Sequence, residues 1–335
     1  MVQPKSPVTA IMPVRNDARH LAAAVSSVLT QTYGGDLDVV LAVGPSDDDT
    51  EGVAREIAAA SPDRVTVVAN PSGGTAAGLN AALDEADGEV IVRVDAHCAL
   101  PPDYVTTAVR ALADTGAANV GGIQAAAGTG DYQRAVAAAM TSRFGVGDAK
   151  FHYGGDAGPT DTVYLGVFRA DVLREVGGFD ESLVRNQDYE LNWRLRAAGH
   201  DVYFVPDMVV EYRPRDTPMA LARQYFQYGQ WKREVLRRHP RSLRLRQLAA
   251  PATLVGCILG AVGAATGRRW MLAAPATYLA AASAAAAVTA DSPGQAARLA
   301  TVFPTMHLAW GAGFLVGPPA HAGQGAPLLP RARPQ

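Results

Sequence analysis

Gly88-Glu-Val-Ile-Val-Arg-Val-Asp-Ala-His97 combines a predicted buried strand, Val90 to Val94, with two polar residues just beyond it. Because side chains alternate along an extended chain, Asp95 and His97 fall on the same side. A carboxylate oxygen and an imidazole nitrogen in that position can bind one divalent cation, such as Mg²⁺ or Mn²⁺. An isolated Asp or His at the end of a strand is more often a turn former or a cap. The surrounding sequence therefore has to decide between the two interpretations.

Three more apolar runs precede this strand, at Val8 to Val14, Leu37 to Val43 and Val65 to Val68. Each run is closed by a short polar turn and followed by a stretch with apolar residues at helical spacing. Strands that alternate with helices in this way are typical of a mostly parallel sheet with helices on both faces. The sequence therefore predicts an α/β fold of the Rossmann-like type.

The polar turns that follow these strands hold the candidate binding residues. Ligands of open α/β sheets bind beyond the carboxyl ends of the strands. Those ends carry Arg15 to Asp17, Ser46 to Asp49, Gly73-Gly74 and Asp95 to His97. We therefore expect these four segments to form one site.

Six motifs, in order along the chain, resemble signatures of the inverting glycosyltransferases of family 2, which have the GT-A fold. They are Ile11 to Asp17, Ser27 to Tyr33, Ala76 to Ala82, Val94 to His97, Val176 to Asp180 and Asn186 to Arg196. The Asp-Ala-His form of the metal motif, followed by Pro101 to Val105, is most similar to membrane-associated members of the succinoglycan-biosynthesis type. The resemblance covers about residues 6 to 240 and implies a GT-A mixed sheet with helices on both faces.

This resemblance implies roles for individual residues. Asp95 and His97 correspond to the metal ligands, and Asp188 corresponds to the base that takes the proton of the acceptor hydroxyl. An inverting transfer is a single in-line displacement, so the base has to lie opposite the leaving diphosphate. The residues that match the donor site are Pro13, Arg15, Asp17, Ser46, Gly74, Asn80 and Asp95. Asp17 and Asp188 also have an ordinary alternative role, which is to cap the helices that follow them.

Two motifs depart from the family pattern. Val43 to Ser46 stands where the family commonly has a pair of aspartates for the nucleotide base and ribose, so the donor nucleotide is left open. Asp47 to Asp49 are either a substitute for that pair or a solvated turn. Gln227 to Trp231 resembles the QxxRW signature of polymer-forming relatives, but Gln230 replaces its arginine. An amide cannot copy the bidentate contacts of a guanidinium, which weakens the case for processive synthesis.

The C-terminal part of the chain has a different composition. Apolar residues rich in Ala and Gly dominate about 248–267, 270–290 and 297–317, which are lengths that match a bilayer core. The sequence therefore predicts a catalytic domain at 1–240, a membrane domain of about three transmembrane helices at 241–320, and a polar tail at 321–335. A soluble Ala-rich helical bundle is the alternative.

Basic residues crowd the N-terminal side of the first predicted span. They are Lys232, Arg233, Arg237, Arg238, Arg241, Arg244 and Arg246. Such a cluster favours a cytoplasmic catalytic domain that contacts anionic lipid head groups at the plasma membrane. Arg268 and Arg269, in the loop after the first span, compete with this rule.

The overall composition excludes other classes of protein. The net charge of the 335 residues is −2, so nucleic-acid binding is not expected. The two cysteines, Cys98 and Cys257, fall in different predicted domains and argue against a disulfide framework. Although Cys98 follows the metal motif, we interpret it as a small buried residue.

These features predict a membrane-anchored, metal-dependent glycosyltransferase with a lipid-linked or growing polysaccharide as its acceptor. A water-soluble acceptor would not need a membrane anchor. One alternative is a nucleotidyltransferase, but Pro13 to Asp17 lacks the Gly- and Arg/Lys-rich loop that a triphosphate requires. The other alternative is a catalytically degenerate scaffold, which Gly44 and Gln187 suggest because both stand where the family commonly has a carboxylate.

Overall fold

A computed structural model describes residues 2–319, so the predicted polar tail at 321–335 lies outside the described residues. The chain forms two compact units. The first contains residues 2–125 and 154–211, and the second contains residues 126–153 and 212–319. The functional boundary near residue 240 stays a prediction.

The first unit is built around a sheet. Its strands are β1 Val8–Val14, β2 Leu37–Val43, β3 Val65–Ala69, β4 Val90–Arg93, β5 Asn119–Ala126, β6 Gly158–Pro159, β7 Tyr164–Arg169 and β8 Val202–Tyr212. Its helices are α1 Ala18–Leu29, α2 Thr50–Ala60, α3 Thr75–Asp84, α4 Tyr104–Thr115, α8 Ala170–Glu175 and α9 Gln187–Ala197. The strands β1 and β2 have the bounds that their apolar runs predict.

The eight strands of the sheet follow the order β3-β2-β1-β4-β7-β5-β8-β6. The pairs β3-β2, β2-β1 and β1-β4 are parallel, and β4-β7, β7-β5 and β8-β6 are antiparallel. The parallel half therefore brings the carboxyl ends of β1, β2, β3 and β4 to one edge, which is where ligands of such sheets bind.

Helices cover both faces of this sheet, as predicted. Alternation along β1 directs Met12 into one core, shared with Val25 of α1 and Val109 of α4. It directs Ile11 into the opposite core, shared with Leu79 of α3. Parallel strands that are buried on both faces have nearly continuous apolar sequences, so their positions can be predicted from the sequence.

Two strand predictions are shifted. The predicted strand at Val90 to Val94 ends at Arg93, so Val94 and Asp95 already belong to the following loop. The sequence also predicts a strand at Asp161 to Gly166, and the structure has β7, which begins at Tyr164. Its register against β5 is irregular, and Leu165 has a positive φ of 41°. This irregularity makes the bounds of the strand harder to predict from the alternation of its side chains.

The second unit is helical. Its elements are α5 Asp131–Met140, α6 Arg143–Val146, α7 Lys150–Tyr153, α10 Pro218–Arg238, α11 Ala249–Ala265, α12 Ala273–Thr289 and α13 Pro293–Val316. Three apolar segments of it are long enough to cross a membrane by length and composition, at Leu245–Ala265, Arg269–Thr289 and Pro293–Val316. They correspond to the three predicted spans, with ends displaced by a few residues.

Candidate active site

A cleft of about 190 Å³ opens at the carboxyl ends of the parallel strands. It gathers residues from the loops after β1, β3 and β4 and from the segment that leads into α9. The predicted site residues among its lining are Pro13, Arg15, Asp17, Gly74, Asp95 and His97. Four separate parts of the sequence therefore form one site.

The loop after β4 offers a set of atoms that fits one cation. Potential ligand atoms of Asp95, His97 and Cys98 all lie within 4.8 Å of one another. His97 also approaches Asp17, with 3.8 Å between Nδ1 and Oδ2. The Asp95 and His97 side chains are oxygen and nitrogen donors, and both suit Mg²⁺ or Mn²⁺.

The thiol of Cys98 is the least suitable member of this group. The residue is 3% exposed, and its sulfur lies 3.7 Å from the Tyr164 hydroxyl. Burial, with the nearby charge of Asp95, raises the pKa of the thiol to about 12. A metal-binding cysteine has to be a thiolate, so these surroundings favour the interpretation of Cys98 as a packed residue.

Arg93 connects the predicted base to the predicted metal site. Its guanidinium donates from Nη1 to Asp188 Oδ1, and its Nη2 lies 3.1 Å from Asp95 Oδ1. The Arg93 side chain is only 8% exposed, whereas Asp188 keeps 32% of its side chain exposed. Arg93 and Asp95 line the cleft, whereas Asp188 is not among the lining residues and is connected to it through its contact with Arg93.

Opposing effects act on the pKa of Asp188. Burial raises the pKa of its carboxyl group, and the negative charge of Asp95 adds to this rise. The charge and the hydrogen bond of Arg93 oppose it, but the net direction is upward. A carboxylate with a raised pKa is a stronger base, which suits a group that removes a proton.

The local backbone explains how Asp188 comes to contact Arg93. Asn186 has a left-handed conformation, with φ of 63°, and it turns the chain into α9. Asparagine tolerates this region better than most residues. The helix begins at Gln187, so Asp188 is inside the first turn and is not the N-cap residue. Its carboxylate contacts Arg93, while the helix N-terminus favours its negative charge.

The loop after β1 contributes Arg15 and Asp17. Arg15 lies across Gly73, where a Cβ would come within 3.2 Å of Nη1 and where φ is +63°. Asp17 occupies the N-cap position of α1, but its side chain makes no capping hydrogen bond. Its carboxylate instead lies near His97, and near His20 at 3.7 Å. This placement favours a role in the cleft over the capping alternative.

Ser46 and the aspartates after it join the loops of β1 and β2. Ser46 Oγ accepts a hydrogen bond from the Asn16 amide and donates one to the Gly44 carbonyl, both at 3.0 Å. The Asp47 amide donates to Asn16 Oδ1 at 2.7 Å, and Asp48 accepts from the Ala18 amide at 3.1 Å. These hydrogen bonds join the loop after β2 to the loop after β1, and the loop after β1 lines the cleft. The solvated-turn interpretation of Asp47 to Asp49 fits these contacts better than a substitute nucleotide site.

Asn80 lies outside the lining of the cleft. It is 1% exposed, and its amide group exchanges two hydrogen bonds with the backbone of Phe179, each of 2.8 Å. Its Nδ2 also donates to Glu181 at 2.8 Å. The family-like motif of α3 thus binds the segment before α9 through hydrogen bonds of Asn80. We therefore leave Asn80 out of the proposed donor site.

The departure from the family pattern at Gly44 has a steric basis. A Cβ at this position would lie 2.9 Å from the Cα of Gly73. The loops after β2 and β3 are packed so closely that an aspartate at residue 44 would not fit.

Sequence reasoning missed several residues of the cleft. They are Val14, Asn70, Thr75, Arg93 and Arg185, and Gln187 was noted only as a departure. Arg93 carried the clearest available signal, because it interrupts an otherwise apolar strand. A buried arginine requires a charged partner, and its nearest acidic neighbour in sequence is Asp95.

Comparisons of the sequence identify a family and related proteins. The profile of the family described as Glycosyltransferase like family 2 matches residues 4–229. The succinoglycan biosynthesis protein ExoA of Rhizobium meliloti is 31% identical over 314 residues, which are 91% of this chain and 92% of that protein. Glycosyltransferase AglE of Haloferax volcanii is 26% identical over 223 residues, which are 65% of this chain and 70% of AglE.

A comparison of structures confirms the fold. The mannosyltransferase PcManGT from Pyrobaculum calidifontis, solved in complex with GDP-Man and Mn²⁺, superposes with a TM-score of 0.63 and 22% sequence identity. The match covers 94% of this chain and 88% of PcManGT. The predicted GT-A fold is therefore correct.

Proposed function

Because the chain belongs to Glycosyltransferase like family 2, we propose that this glycosyltransferase moves a sugar from a nucleotide-sugar donor to an acceptor hydroxyl with inversion. The acceptor would be a lipid-linked or growing polysaccharide at the plasma membrane. The reaction would depend on Mg²⁺ or Mn²⁺ and on Asp188 as the base.

One observation carries this proposal, which is the contact of a single buried guanidinium with both Asp188 and Asp95. Arg93 holds the carboxylate that would receive a proton beside the carboxylate that would bind the cation. An in-line displacement needs its base and its leaving-group site at a fixed separation. The contact with Arg93, which neither motif contains, supports the assignment of both roles to one site.

At the acceptor side, Asp188 would take the proton as the hydroxyl oxygen attacks the anomeric carbon. The sugar–phosphate bond breaks on the opposite face of that carbon, and the diphosphate leaves with the electron pair. Burial raises the pKa of Asp188, so its carboxylate is a better proton acceptor than an exposed aspartate. Arg93 opposes this rise in the pKa and orients the carboxylate.

At the donor side, Asp95 and His97 would hold the divalent cation. When bound, that cation supplies positive charge against the charge that develops on the diphosphate. Arg15 and Arg185 line the same cleft and can pair with phosphate oxygens. Pro13 and Gly74 form the wall beside them.

The membrane location and the acceptor class rest on the second unit and on one relative. Three helices of this unit are long and apolar enough to cross a membrane. A basic cluster at 232–246 precedes them, which supports a cytoplasmic catalytic site where nucleotide sugars are made. The relative ExoA is named for succinoglycan biosynthesis, which supports a saccharide acceptor in the cell envelope.

The proposal is tested with membranes that contain the full chain and a panel of radiolabelled nucleotide sugars. We expect one donor to label a lipid-extractable or polymeric product, and EDTA to abolish the labelling until Mn²⁺ or Mg²⁺ is restored. Membranes that contain the Asp188→Asn chain serve as the matched control. If no donor is consumed by the full chain while a known transferase in the same membranes is active, the degenerate-scaffold alternative would be favoured.

A further inference from the structure

Helix α9, which carries Asp188 in its first turn, buries a polar side chain beside its apolar ones. Leu191 and Leu195 are fully buried and share a core with Phe179. Asn192 is almost fully buried as well. Apolar packing is not directional, so the two leucines hold α9 against the sheet without fixing its rotation. Hydrogen bonds have preferred angles, so a buried amide can fix that rotation.

The Asn192 side chain is bonded to two residues of the sheet region. Its Oδ1 accepts a hydrogen bond from Asn119 Nδ2 at 2.6 Å, and its Nδ2 donates one to Thr162 Oγ1 at 2.9 Å. Asn119 is the first residue of β5, and Thr162 lies two residues before β7. Gly166 of β7 leaves space for these contacts, because a Cβ there would lie 2.5 Å from Asn119 Oδ1. We call Asn119, Asn192 and Thr162 the amide network.

The amide network and Asp188 are linked by the geometry of α9. Asn192 follows Asp188 by four residues, so it lies one turn further along the same face of the helix. In the sheet, β7 lies between β4 and β5. Arg93 of β4 contacts Asp188, and Asn119 of β5 contacts Asn192. A rotation of α9 that broke the amide network would therefore also move the Asp188 carboxylate relative to Arg93.

A buried ion pair of α9 constrains a different segment. Arg194 pairs with Glu190 at 2.8 Å, and its guanidinium donates to the carbonyls of Val176 at 2.5 Å and Gly178 at 2.7 Å. These contacts attach α9 to the turn after α8. The ion pair therefore holds the loop that leads towards α9, whereas the amide network holds α9 against the strands.

The amide network carries a cost to stability. Within the part of the chain that the structure describes, Asn119 Oδ1 is buried without a hydrogen-bond partner. An unpaired buried polar atom destabilises a fold, and apolar side chains at these positions would not carry that cost. Stability alone therefore does not account for the network. Directional contacts that select one orientation of α9 do account for it.

We propose that Asn192 is a positioning residue for sugar transfer, because its hydrogen bonds to Asn119 and Thr162 set the rotation of α9 that places the Asp188 carboxylate at Arg93. The inference rests on the proposed function, in which Asp188 is the base. Asn192 is not among the residues that line the cleft, so it acts on the rate through Asp188.

The test compares Asn192→Ala in the natural full chain and in the Asp188→Asn chain, both in membranes. The measurements are the transfer rate at a saturating concentration of the donor that the panel identifies, and the affinity for UDP and for GDP. In the natural chain we expect a rate lower by about 10- to 100-fold, the range for a displacement of about 1 Å at the reacting groups. Nucleotide affinity should stay unchanged, because the cleft is lined by other residues.

The Asp188→Asn chain separates positioning from stability. If Asn192 acts through the base, Asn192→Ala should change the residual rate of this chain by less than about twofold, since residues that act as a unit are not additive. Leu195→Val is the matched control, because it alters the packing of the same helix outside the amide network. It should change the rate by the same factor in both chains.

A milder variant keeps the test decisive if Asn192→Ala does not fold. Thr162→Val keeps the shape of the side chain and removes the hydroxyl that accepts from Asn192. We expect a smaller loss of rate in the natural chain, and again no further loss in the Asp188→Asn chain.

Three results would overturn the inference alone. They are equal fold losses of rate in the natural and Asp188→Asn chains, a loss of nucleotide affinity as large as the loss of rate, and an unchanged rate in both Asn192→Ala and Thr162→Val. Two other results would overturn the proposed function and the inference with it. They are a natural chain that transfers sugar from no donor, and an Asp188→Asn chain that is as fast as the natural one.

Discussion

Asp188→Asn should slow sugar transfer by about 100- to 10,000-fold, which is the range for the loss of a general base. Donor binding should change little, because Asp188 faces the cleft through Arg93 and the donor residues lie on other loops. The measurements are initial transfer rates and the affinity of the membrane-bound chain for the nucleotide diphosphate. Asp171→Asn, which removes a carboxylate from an exposed ion pair with Arg169, is the matched control and should leave both unchanged.

The pH dependence gives a second readout of the same group. Burial raises the pKa of Asp188, so the base is lost by protonation at a higher pH than for an ordinary aspartate. Activity of the natural chain should fall as the pH decreases through that raised pKa. The Asp188→Asn chain should lack this acidic limb. A variant that loses donor affinity as strongly as rate would instead show that Asp188 is structural.

Arg93→Lys separates the base from the group that orients it. A lysine keeps the positive charge but cannot contact two carboxylates with the geometry of a guanidinium. We expect a smaller loss of rate than for Asp188→Asn, together with a higher Mn²⁺ concentration for half-maximal activity, since Asp95 loses its contact. An unchanged Mn²⁺ requirement would contradict the positioning role of Arg93.

Asp95→Ala should abolish metal-dependent transfer, because it removes the one carboxylate among the clustered ligand atoms of the loop after β4. His97→Asp should retain part of the activity, because an oxygen ligand replaces a nitrogen ligand at the same position. The measurement is the transfer rate as a function of added Mn²⁺ or Mg²⁺ after treatment with a chelator.

The neighbouring cysteine provides the control for this pair. Cys98→Ser should keep its metal dependence, because the thiol is buried against Tyr164 and its raised pKa disfavours the thiolate. Full activity of Asp95→Ala after chelation would contradict the metal assignment. Loss of metal dependence in Cys98→Ser alone would move the assignment from His97 to the thiol.

The parallel half of the sheet could be predicted from the sequence because its strands are buried on both faces. Val8–Val14 and Leu37–Val43 are apolar runs closed by polar turns, and the observed bounds agree with them. The carboxyl ends of such strands meet at one edge, so the positions of Arg15, Asp17 and Asp95 after two of these strands were enough to assign them to one site.

The contact between Arg93 and Asp188 could not be predicted in this way. The two residues are 95 positions apart, and neither periodicity nor a local motif connects them. Asn80 is the opposite case, because its local motif suggested a donor contact that its tertiary contacts do not support. It belongs to a motif that resembles the family, but its amide is engaged with the backbone of Phe179 and lies away from the cleft.

The C-terminal helices show what hydropathy alone does not distinguish. α12 and α13 both pass as apolar spans, yet α12 exposes Val288 and buries only Ala282 and Ala286, whereas α13 buries Leu299, Phe303 and Met306 in the same core. A protein core and a lipid chain are both apolar solvents. The number of crossings therefore depends on tertiary partners that the sequence does not identify.

The anomeric configuration of the transferred sugar tests the central claim most directly. A single displacement with Asp188 as the base inverts the configuration at the anomeric carbon. Once the donor panel identifies a nucleotide sugar, the proton coupling at that carbon in the NMR spectrum of the first-formed product is compared with that of the donor. We predict the opposite configuration. A product with the configuration of its donor would contradict the single displacement and the role of Asp188 in it.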